Sequence, residues 1–459
     1  MAIMNQTTTH TNRRLRLSRR LLPILLLSVV LRLGMALYLG DDTSNWLGGT
    51  ADQVSYDTLA LRLLGGHGFS FAEAWWPATA AGAPTAHWSY LYTGFLAAVY
   101  AVVGHHPLAA RLIQAVVAGL LLPWLTYRSG RRALGETVGL VAAALIAVYF
   151  YFVIFSAALM TEAFYTIALL WLVDAAQRLG RRLGEGAPIR CAASGLELGL
   201  AMAATLLLRQ VGMFIILIVA AWLLWLGWRR RAGRAAVAAL AIAGGLTLLL
   251  LLPWTVRNYR AFGTLSLWPN TNSGFALYWA SHPIYGARFE TVLSADHGVS
   301  YYELIPPELR HLNEAELDAA LRGLGVQFIL DDLERYALLS LSRIPVQFQF
   351  WPTADSSLLA NAARLLSFGI ALPFILWGMG LFLRQGVPAI WQQRFWQRGA
   401  AWGAAEGRLA EGWLLLGIIL IYNFLHILTW AKVRYRLPTD AFMLLFAALA
   451  VVRVGRPKS

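Results

Sequence analysis

The sequence has too few charged residues for a water-soluble protein. They make up 14% of its 459 residues, against about 25% in typical soluble domains, while hydrophobic residues make up 58%. A soluble protein of this length would divide into several domains, and this composition could not cover them with polar surface. The apolar content excludes a disordered chain, and the single cysteine, Cys191, excludes a disulfide-rich secreted fold. The sequence therefore predicts an all-α polytopic membrane protein.

Lysine is nearly absent as well. Lys432 and Lys458 are the only two, so arginine carries almost all of the net charge of +14. The arginines lie in short runs between apolar stretches, which is typical of the cytoplasmic loops of membrane proteins and argues against a nucleic-acid partner. The sequence contains no Walker loop, GxGxxG, HExxH or CxxC motif, and the missing Walker loop argues against an ATP-driven pump.

Apolar runs predict about ten transmembrane helices. Each run is near the ~20 residues that cross a membrane, and alternating them places every basic run in the cytoplasm, with the N-terminus inside and the first run an uncleaved span. Two further apolar segments, 54–64 and 89–104, are too short to span and are predicted as helices on the outer membrane surface. The ten runs are 21–39, 107–127, 137–157, 163–177, 191–208, 211–228, 235–256, 361–383, 412–430 and 439–452.

This topology divides the chain into three parts. Residues 1–256 form an N-terminal transmembrane module whose first outer loop is 40–106. Residues 257–360 form a small extracytoplasmic α(+β) domain, and residues 361–459 form the C-terminal transmembrane helices. The strand signal of the extracytoplasmic domain is weak and confined to 262–302.

One helix of the extracytoplasmic domain has a clear start in the sequence. Asn313-x-x-Glu316 resembles a capping box. An amphipathic helix is expected to follow it to about Arg343, with a break at Gly323/Gly325.

Several charged residues are predicted on the outer side, away from the cytoplasmic arginine runs. A charge near hydrocarbon costs about 2.5–3.5 kcal/mol on insertion scales, so such a residue tends to face a cavity or a partner. Acids and bases that converge on one face of the membrane indicate a site that binds an anion and moves a proton. The acids are Asp52, Asp57 and Glu162, and the bases are Arg111, Arg209, Arg257, Lys432, Arg434 and Arg436.

The acids have both functional and structural interpretations. Asp52 and Tyr56, four residues apart, share a helix face that is predicted to point into the bundle, whereas Asp57 is expected to look along the surface. Asp52 could equally be a helix N-cap. Glu162, at an outer turn, could be a carboxylate that the dipole of a helix N-terminus stabilises.

The outer arginines favour a phosphate site. The planar guanidinium fork donates two parallel hydrogen bonds to phosphate, and the alternative for any one of these residues is snorkelling to the interface. Four together, Arg209, Arg257, Arg434 and Arg436, make phosphate binding the better interpretation. Arg32, inside the first span, is expected to be paired structurally.

Four stretches of the sequence resemble the GT-C superfamily of membrane glycosyltransferases, in particular the protein O-mannosyltransferase and lipid A aminoarabinose transferase-like group. Their order and spacing cover nearly the whole chain, and the PWxxRNYxxFG stretch is the most specific. The four are Asp52-x-x-x-Tyr56-x-x-Leu59-Ala60 with Gly66-His67-Gly68-Phe69; Thr161-Glu162-Ala163; Pro253-Trp254-x-x-Arg257-Asn258-Tyr259-x-x-Phe262-Gly263 with Asn272-Ser273-Gly274 and His282-Pro283; and Arg434-Tyr435-Arg436-x-Pro438.

The resemblance implies a GT-C fold and a reaction in the cell (inner or plasma) membrane, at a site facing the outside or periplasm. A sugar would leave a polyprenyl-phosphate donor, with inversion, for a hydroxyl of a lipid, glycan or protein acceptor. Asp52 and Glu162 are the implied catalytic acids. No cofactor is certain, and the two could share a divalent metal ion. The implied substrate-binding residues are Arg257, Asn258, Arg209, Arg434, Tyr435, Arg436, Arg111, Tyr56 and His87.

Two alternatives remain beside the enzyme. A secondary transporter or lipid-linked sugar flippase should have paired halves with broken helices, and the sequence shows neither. A non-catalytic subunit that binds a sugar lipid is the second alternative.

The sequence also departs from the resemblance at His87-Trp88-Ser89-Tyr90, where relatives often have a basic residue followed by two prolines.

Overall fold

The computed structural model describes residues 4–44, 52–183, 188–265, 269–354, 356–399 and 404–455. These residues form helices, turns and loops. Within them no β-strand forms, and the only β-pairing consists of two isolated bridges, Ser70 with Pro84 and Trp75 with Thr79. The strand expected within 262–302 is therefore wrong for the described part of that segment, where only helices, turns and loops form.

Eighteen α-helices follow one another along the described residues. A π-helical turn, Leu365–Gly369, joins the fourteenth helix to the fifteenth. The helices are α1 Met4–Leu39, α2 Asp52–Leu64, α3 Tyr90–Val103, α4 Pro107–Ala133, α5 Glu136–Val148, α6 Phe150–Phe155, α7 Glu162–Arg182, α8 Pro188–Leu208, α9 Gly212–Arg229, α10 Gly233–Phe262, α11 Ser273–Ser281, α12 Glu314–Asp331, α13 Leu333–Gln347, α14 Leu358–Arg364, α15 Ile370–Trp391, α16 Gln393–Trp396, α17 Ala404–Leu428 and α18 Val433–Val454.

Eight helical segments in the described residues are long and apolar enough to cross a membrane. They lie in α1, α4, α8, α9, α10, α14–α15, α17 and α18, and they coincide with eight of the ten predicted runs. A further predicted run, 163–177, lies in α7. The 21 residues of this helix extend over about 31 Å at 1.5 Å per residue. The chain is thus a multi-pass membrane protein.

The remaining run, 137–157, is not one uninterrupted helix. It divides into α5 and α6 at Tyr149, whose backbone is extended. The break leaves carbonyl groups without helical partners among apolar side chains, where each unsatisfied group is costly. Arg32 of α1 satisfies two of them, donating from Nη2 to the carbonyl of Ile146 (3.1 Å) and from Nη1 to that of Ala147 (3.0 Å). The structural pairing expected for Arg32 is confirmed, and the broken helix was not expected.

Replacing Arg32 should therefore destabilise the bundle. In Arg32→Leu both carbonyls lose their donor, and each buried unsatisfied group costs about 1–3 kcal/mol. We expect a lower unfolding temperature in detergent, followed by tryptophan fluorescence. Arg19→Leu is the matched control, because Arg19 lies on the same helix and is exposed. Equal unfolding temperatures for the two variants would contradict this role of Arg32.

The two short segments that were predicted as surface helices are both helical. α2 covers the 54–64 segment, α3 covers the 89–104 segment, and the two pack against each other. Tyr56 is buried, as its helix face predicted. The expectation for Asp57 was wrong, because its carboxylate is buried and accepts a hydrogen bond from the hydroxyl of Tyr100 (2.6 Å), with Nε2 of His105 at 3.0 Å.

The outer domain packs α11 against α12. Gly274 allows this contact, since a Cβ there would collide with the backbone of Asp318. The side chain of Asp318 in turn accepts hydrogen bonds from the backbone N–H groups of Gly274 (2.7 Å) and Phe275 (3.2 Å). Two orphan donors at the start of α11 are thereby satisfied.

The predicted start of α12 is confirmed, and its predicted break is not. Asn313 and Glu316 form the capping box. The helix continues through Gly323 and Gly325 and ends at Asp331, and Asp332 then caps α13. The domain limit drawn at 256/257 lies within α10, which continues to Phe262.

Candidate active site

Four helix ends bring the predicted acids and two of the predicted arginines together. Asp52 is the first residue of α2, and Glu162 is the first residue of α7. Arg209 directly follows α8, and Arg434 is the second residue of α18. Residues far apart in sequence therefore meet at one end of the helical bundle.

Arg434 lies between the two carboxylates. Its Nη1 is 2.8 Å from Oδ2 of Asp52, and its Nε is 3.9 Å from Oε1 of Glu162. The same Glu162 oxygen accepts a hydrogen bond of 2.6 Å from Nη2 of Arg209. The Glu162 side chain is 0% exposed and that of Asp52 is 23% exposed. Asp52 is therefore the carboxylate that a substrate can reach. Glu162 is buried beneath the two arginines, and its carboxylate lies close to both.

The cations around Asp52 keep its carboxyl ionised. Burial raises the pKa of this carboxyl, but the charges of Arg434, Lys432 and Arg209 outweigh that effect and hold the pKa below its ordinary value. Burial has the opposite consequence for Lys432, whose pKa it lowers. An ionised carboxylate that can accept a proton thus lies beside several cations.

Aromatic side chains surround the arginines. The guanidinium of Arg209 lies 5.7 Å from the ring centroids of both Tyr165 and Tyr435, and that of Arg434 lies 5.2 Å from Tyr435. Oε2 of Glu162 and Nε2 of His426 are buried without a hydrogen-bond partner among the described residues. Buried polar atoms are rarely left unpaired, so these two are free to bind a polar ligand or water.

Arg111 contacts backbone carbonyls and not the Asp52–Glu162 pair. Its side chain is fully buried and donates to the carbonyls of Gly40 (3.0 Å) and Ala157 (2.8 Å). It also donates to Oε1 of Gln53 (3.0 Å), the residue next to Asp52. Arg111 therefore fixes the start of α2.

Arg257 and Asn258 hold the first outer loop. Arg257 donates to the carbonyls of Thr85 (2.8 Å) and Phe69 (3.1 Å). The Asn258 side chain donates to the carbonyl of Pro269 (3.2 Å) and accepts a hydrogen bond from the Tyr90 hydroxyl (3.2 Å). These contacts brace the loop against α10. None of them joins Arg257 or Asn258 to Asp52 or Glu162.

Arg436 is enclosed in a separate network. It is fully buried and donates to Oδ1 of Asp440 (2.9 Å) and to the carbonyl of Gln347 (2.7 Å). Asp440 also accepts a hydrogen bond from Tyr149 at the helix break (2.7 Å). Tyr435, which precedes Arg436 in the sequence, instead faces Arg209 and Arg434.

Two other predicted residues lie in the aromatic wall beside Asp52. Tyr56 packs edge-on against Trp88 (5.3 Å) and Tyr92 (4.9 Å). His87 has Nδ1 3.3 Å from the carbonyl of Thr271, and burial lowers its pKa to about 4. His87 is therefore neutral at pH 7 and contributes no positive charge to a phosphate.

The acids do not have the donor set of a divalent metal. Such ions take several oxygen ligands, and among the described residues no three His, Cys, Asp or Glu side chains lie close enough to hold one. Arginine nitrogens occupy the space beside both Asp52 and Glu162. The geometry fits an anion between the arginines better than a cation between the acids.

An apolar groove reaches the same end of the bundle. It has a volume of about 520 Å³ and lies between α3, the end of α8 and α10. Leu207, two residues before Arg209, lines its end, together with Tyr90, Leu91, Phe95, Leu250 and Pro253.

Several residues around the arginines carry no distinctive signal in the sequence. Tyr165 and Tyr422 lie within apolar runs, where an aromatic residue is expected anyway. His426 also lies within an apolar run, and its ring lies 4.8 Å from Tyr422 and 5.2 Å from Tyr435. The one usable signal is that His426 and Lys432 both lie shortly before the Arg434-Tyr435-Arg436 stretch.

Neither a family model nor a curated protein sequence matches the chain, but solved structures do. The oligosaccharyltransferase AglB from Archaeoglobus fulgidus, in complex with an inhibitory peptide and a dolichol-phosphate, aligns with a TM-score of 0.53 and 14% identity over 95% of this chain and 50% of that one. Its apo form aligns with a TM-score of 0.56, also at 14% identity, with the same coverage. ArnT from Cupriavidus metallidurans bound to undecaprenyl phosphate aligns at 0.41 and 12%, over 94% and 77%.

The oligosaccharyltransferase likeness extends over nearly all of this chain. The chain spans about half the length of the AglB chains it matches. At 14% identity the likeness concerns the arrangement of the helices and not the chemistry. The fold expected from the sequence is confirmed: the chain has the fold of the GT-C membrane glycosyltransferases.

Proposed function

We propose that the protein is an inverting glycosyltransferase. It moves a sugar from a polyprenyl-phosphate-linked donor to an acceptor hydroxyl at the outer face of the cell membrane. The observation that supports this most is Arg434, placed between Asp52 and Glu162 with Arg209 beside it. Such a reaction needs a base, a second carboxylate and phosphate-binding cations close together in one site.

The donor phosphate binds at Arg209 and Arg434. Both pair with carboxylates, and their side chains are 18% and 12% exposed, whereas Arg111 and Arg436 are fully buried and donate to backbone carbonyls. When the phosphate arrives, Arg434 exchanges its ion pair with Asp52 for one with the phosphate. Glu162 keeps both guanidinium groups in place during this exchange, because it is buried and pairs with Arg209.

Asp52, freed from Arg434, acts as the base. The acceptor oxygen attacks the anomeric carbon from the face opposite the phosphate, and its proton passes to Asp52. The bond from the anomeric carbon to the phosphate oxygen breaks, and its electron pair stays on that oxygen. The products are the glycosylated acceptor and polyprenyl phosphate, whose additional negative charge the arginines stabilise.

The apolar groove suits the polyprenyl chain. It is lined by residues such as Leu91, Phe95 and Leu250, and Leu207, which also lines it, is two residues from Arg209. A lipid lying there has its phosphate at the arginines and its tail towards the bilayer. An apolar groove of this kind supports a lipid-linked donor over a nucleotide sugar.

The proposed reaction is tested by the release of polyprenyl phosphate. Purified protein in detergent is incubated with undecaprenyl-phosphate sugars and candidate lipid, glycan and protein acceptors. We expect undecaprenyl phosphate to accumulate in step with glycosylated acceptor, and boiled protein is the control. No release with any donor and acceptor pair would contradict the enzyme proposal.

The flippase alternative makes a different prediction. A flippase would move the intact sugar lipid between leaflets of a proteoliposome without releasing undecaprenyl phosphate. The broken helix at Tyr149 is the feature that would favour it. However, Arg32 already fills that break, so the break offers no free backbone to a substrate.

A further inference from the structure

Trp76 is an exposed side chain in a hydrogen-bonded turn. It is 46% exposed and lies in a turn closed by two backbone hydrogen bonds between Trp75 and Thr79 (2.8 and 2.9 Å). The hydroxyl of Thr79 donates to the buried Glu314 (2.9 Å), and the indole of Trp75 donates to Ser55 (2.9 Å). An exposed aromatic residue held this firmly loses little conformational entropy when a ligand binds.

The neighbours of Trp76 form an aromatic surface. Its ring centroid lies 5.6 Å from that of the buried Trp279, at an interplanar angle of 33°. The ring centroids of His87 and Trp88 lie 5.2 Å and 6.4 Å away, at interplanar angles of 89° and 60°. Trp279 therefore supports the platform from within, and His87 and Trp88 form its side.

Trp88 adds a hydrogen-bond donor without a partner. It is only 6% exposed, and its Nε1 has no hydrogen-bond partner among the described residues. A buried indole N–H usually finds a partner, so a ligand hydroxyl that reaches this atom would satisfy it. An aromatic face with an unpaired donor beside it is suited to a molecule that has an apolar face and a polar edge.

The platform carries no charge. His87 is neutral because burial lowers its pKa to about 4, and the remaining ring systems are indoles. The face of an indole is negatively polarised, and the C–H groups on the flat face of a pyranose are weakly positive. A neutral pyranose ring therefore matches the surface better than an anionic headgroup or a charged peptide.

The platform is close to the proposed base. Trp88 lies 5.3 Å, ring to ring, from Tyr56, and Tyr56 follows Asp52 by about one helical turn. Two ring contacts, Trp76 with Trp88 and Trp88 with Tyr56, and one turn of α2 therefore separate a ligand on Trp76 from the carboxylate of Asp52. A glycan several residues long can bind Trp76 and still present a hydroxyl to Asp52.

We propose that Trp76, supported by Trp279 and flanked by His87 and Trp88, binds a neutral pyranose ring of a glycan acceptor. This inference rests on the proposed function and narrows its acceptor from lipid, glycan or protein to glycan. The competing role is an interfacial anchor, since exposed tryptophans are common where a membrane meets water.

Saturation-transfer NMR on the full chain in detergent tests the platform. The probes are cellohexaose, maltohexaose and mannohexaose at millimolar concentration. We expect saturation transfer to the ring protons of at least one of them, and an affinity about tenfold lower in Trp76→Ala. Trp76→Phe keeps a π face and should retain most of the affinity. Trp76→Leu keeps apolar bulk without that face and should lose as much as alanine.

Matched variants separate the platform from the anchor and from the reaction. Trp351 is 40% exposed and lies outside the platform, so Trp351→Ala should bind the glycan like the wild type. Asp52→Asn should bind the glycan normally even where transfer is lost, so binding is scored independently of the proposed reaction. No saturation transfer to any of the three glycans, or equal affinities in Trp76→Ala, Trp351→Ala and the wild type, would overturn the proposal. Equal losses in the two alanine variants would overturn it as well, in favour of the anchor.

Discussion

Asp52→Asn should reduce sugar transfer by a factor of about 10²–10⁴, the usual cost of losing a general base. Asparagine has nearly the same shape as aspartate, but it cannot accept the proton of the acceptor hydroxyl. Donor binding should persist or become tighter, because Arg434 loses its partner in the resting site and stays free for the phosphate. The measurements are initial rates of polyprenyl phosphate release and donor affinity by titration.

Asp57→Asn is the matched control for this substitution. Asp57 lies on the same helix, but its carboxylate accepts from Tyr100 and contacts His105, with no arginine of the site among its hydrogen-bond partners. We expect a modest loss of thermal stability and a transfer rate within a few-fold of the wild type. If instead Asp57→Asn abolished transfer and Asp52→Asn did not, the base would be Asp57.

Long apolar runs were predicted correctly because the bilayer leaves few alternatives. A segment of ~20 apolar residues that crosses hydrocarbon must satisfy its backbone within a helix, and eight of the ten runs formed such helices. The run 137–157 breaks at Tyr149, and Arg32, distant in sequence, satisfies the carbonyls of Ile146 and Ala147 there. No local pattern in an apolar run records such a partner.

The site was predictable only in part, for a similar reason. Asp52, Glu162, Arg209 and Arg434 are singled out by the sequence as charges predicted on the side opposite the basic runs, and the structure brings them together. Arg436 carries the same signal, yet it is enclosed by Asp440 and a backbone carbonyl. A carbonyl partner leaves no trace in the sequence, because every residue has one. Charge sorting alone therefore cannot separate a ligand-binding arginine from a bracing one.

Arg434→Lys should weaken donor binding by about 1.5–3 kcal/mol, the contribution of a hydrogen bond to a charged group. Lysine keeps the charge, but it cannot extend from Asp52 towards Glu162 while also gripping a phosphate with two nitrogens. Arg209→Lys should behave alike. The double variant should lose less than the sum, because both arginines hold one phosphate and share Glu162. Arg288→Lys, at an exposed position of the outer domain, is the control and should bind donor normally.

Arg257→Lys distinguishes phosphate binding from bracing. The sequence predicts Arg257 as a phosphate ligand, whereas its contacts with the carbonyls of Thr85 and Phe69 brace the first outer loop. A bracing arginine replaced by lysine should lower the unfolding temperature and leave the donor affinity of the folded protein unchanged. If donor affinity fell in Arg257→Lys and stayed constant in Arg209→Lys and Arg434→Lys, the phosphate would bind along α10. The base Asp52 would then have to receive its proton from an acceptor held on that side of the first loop.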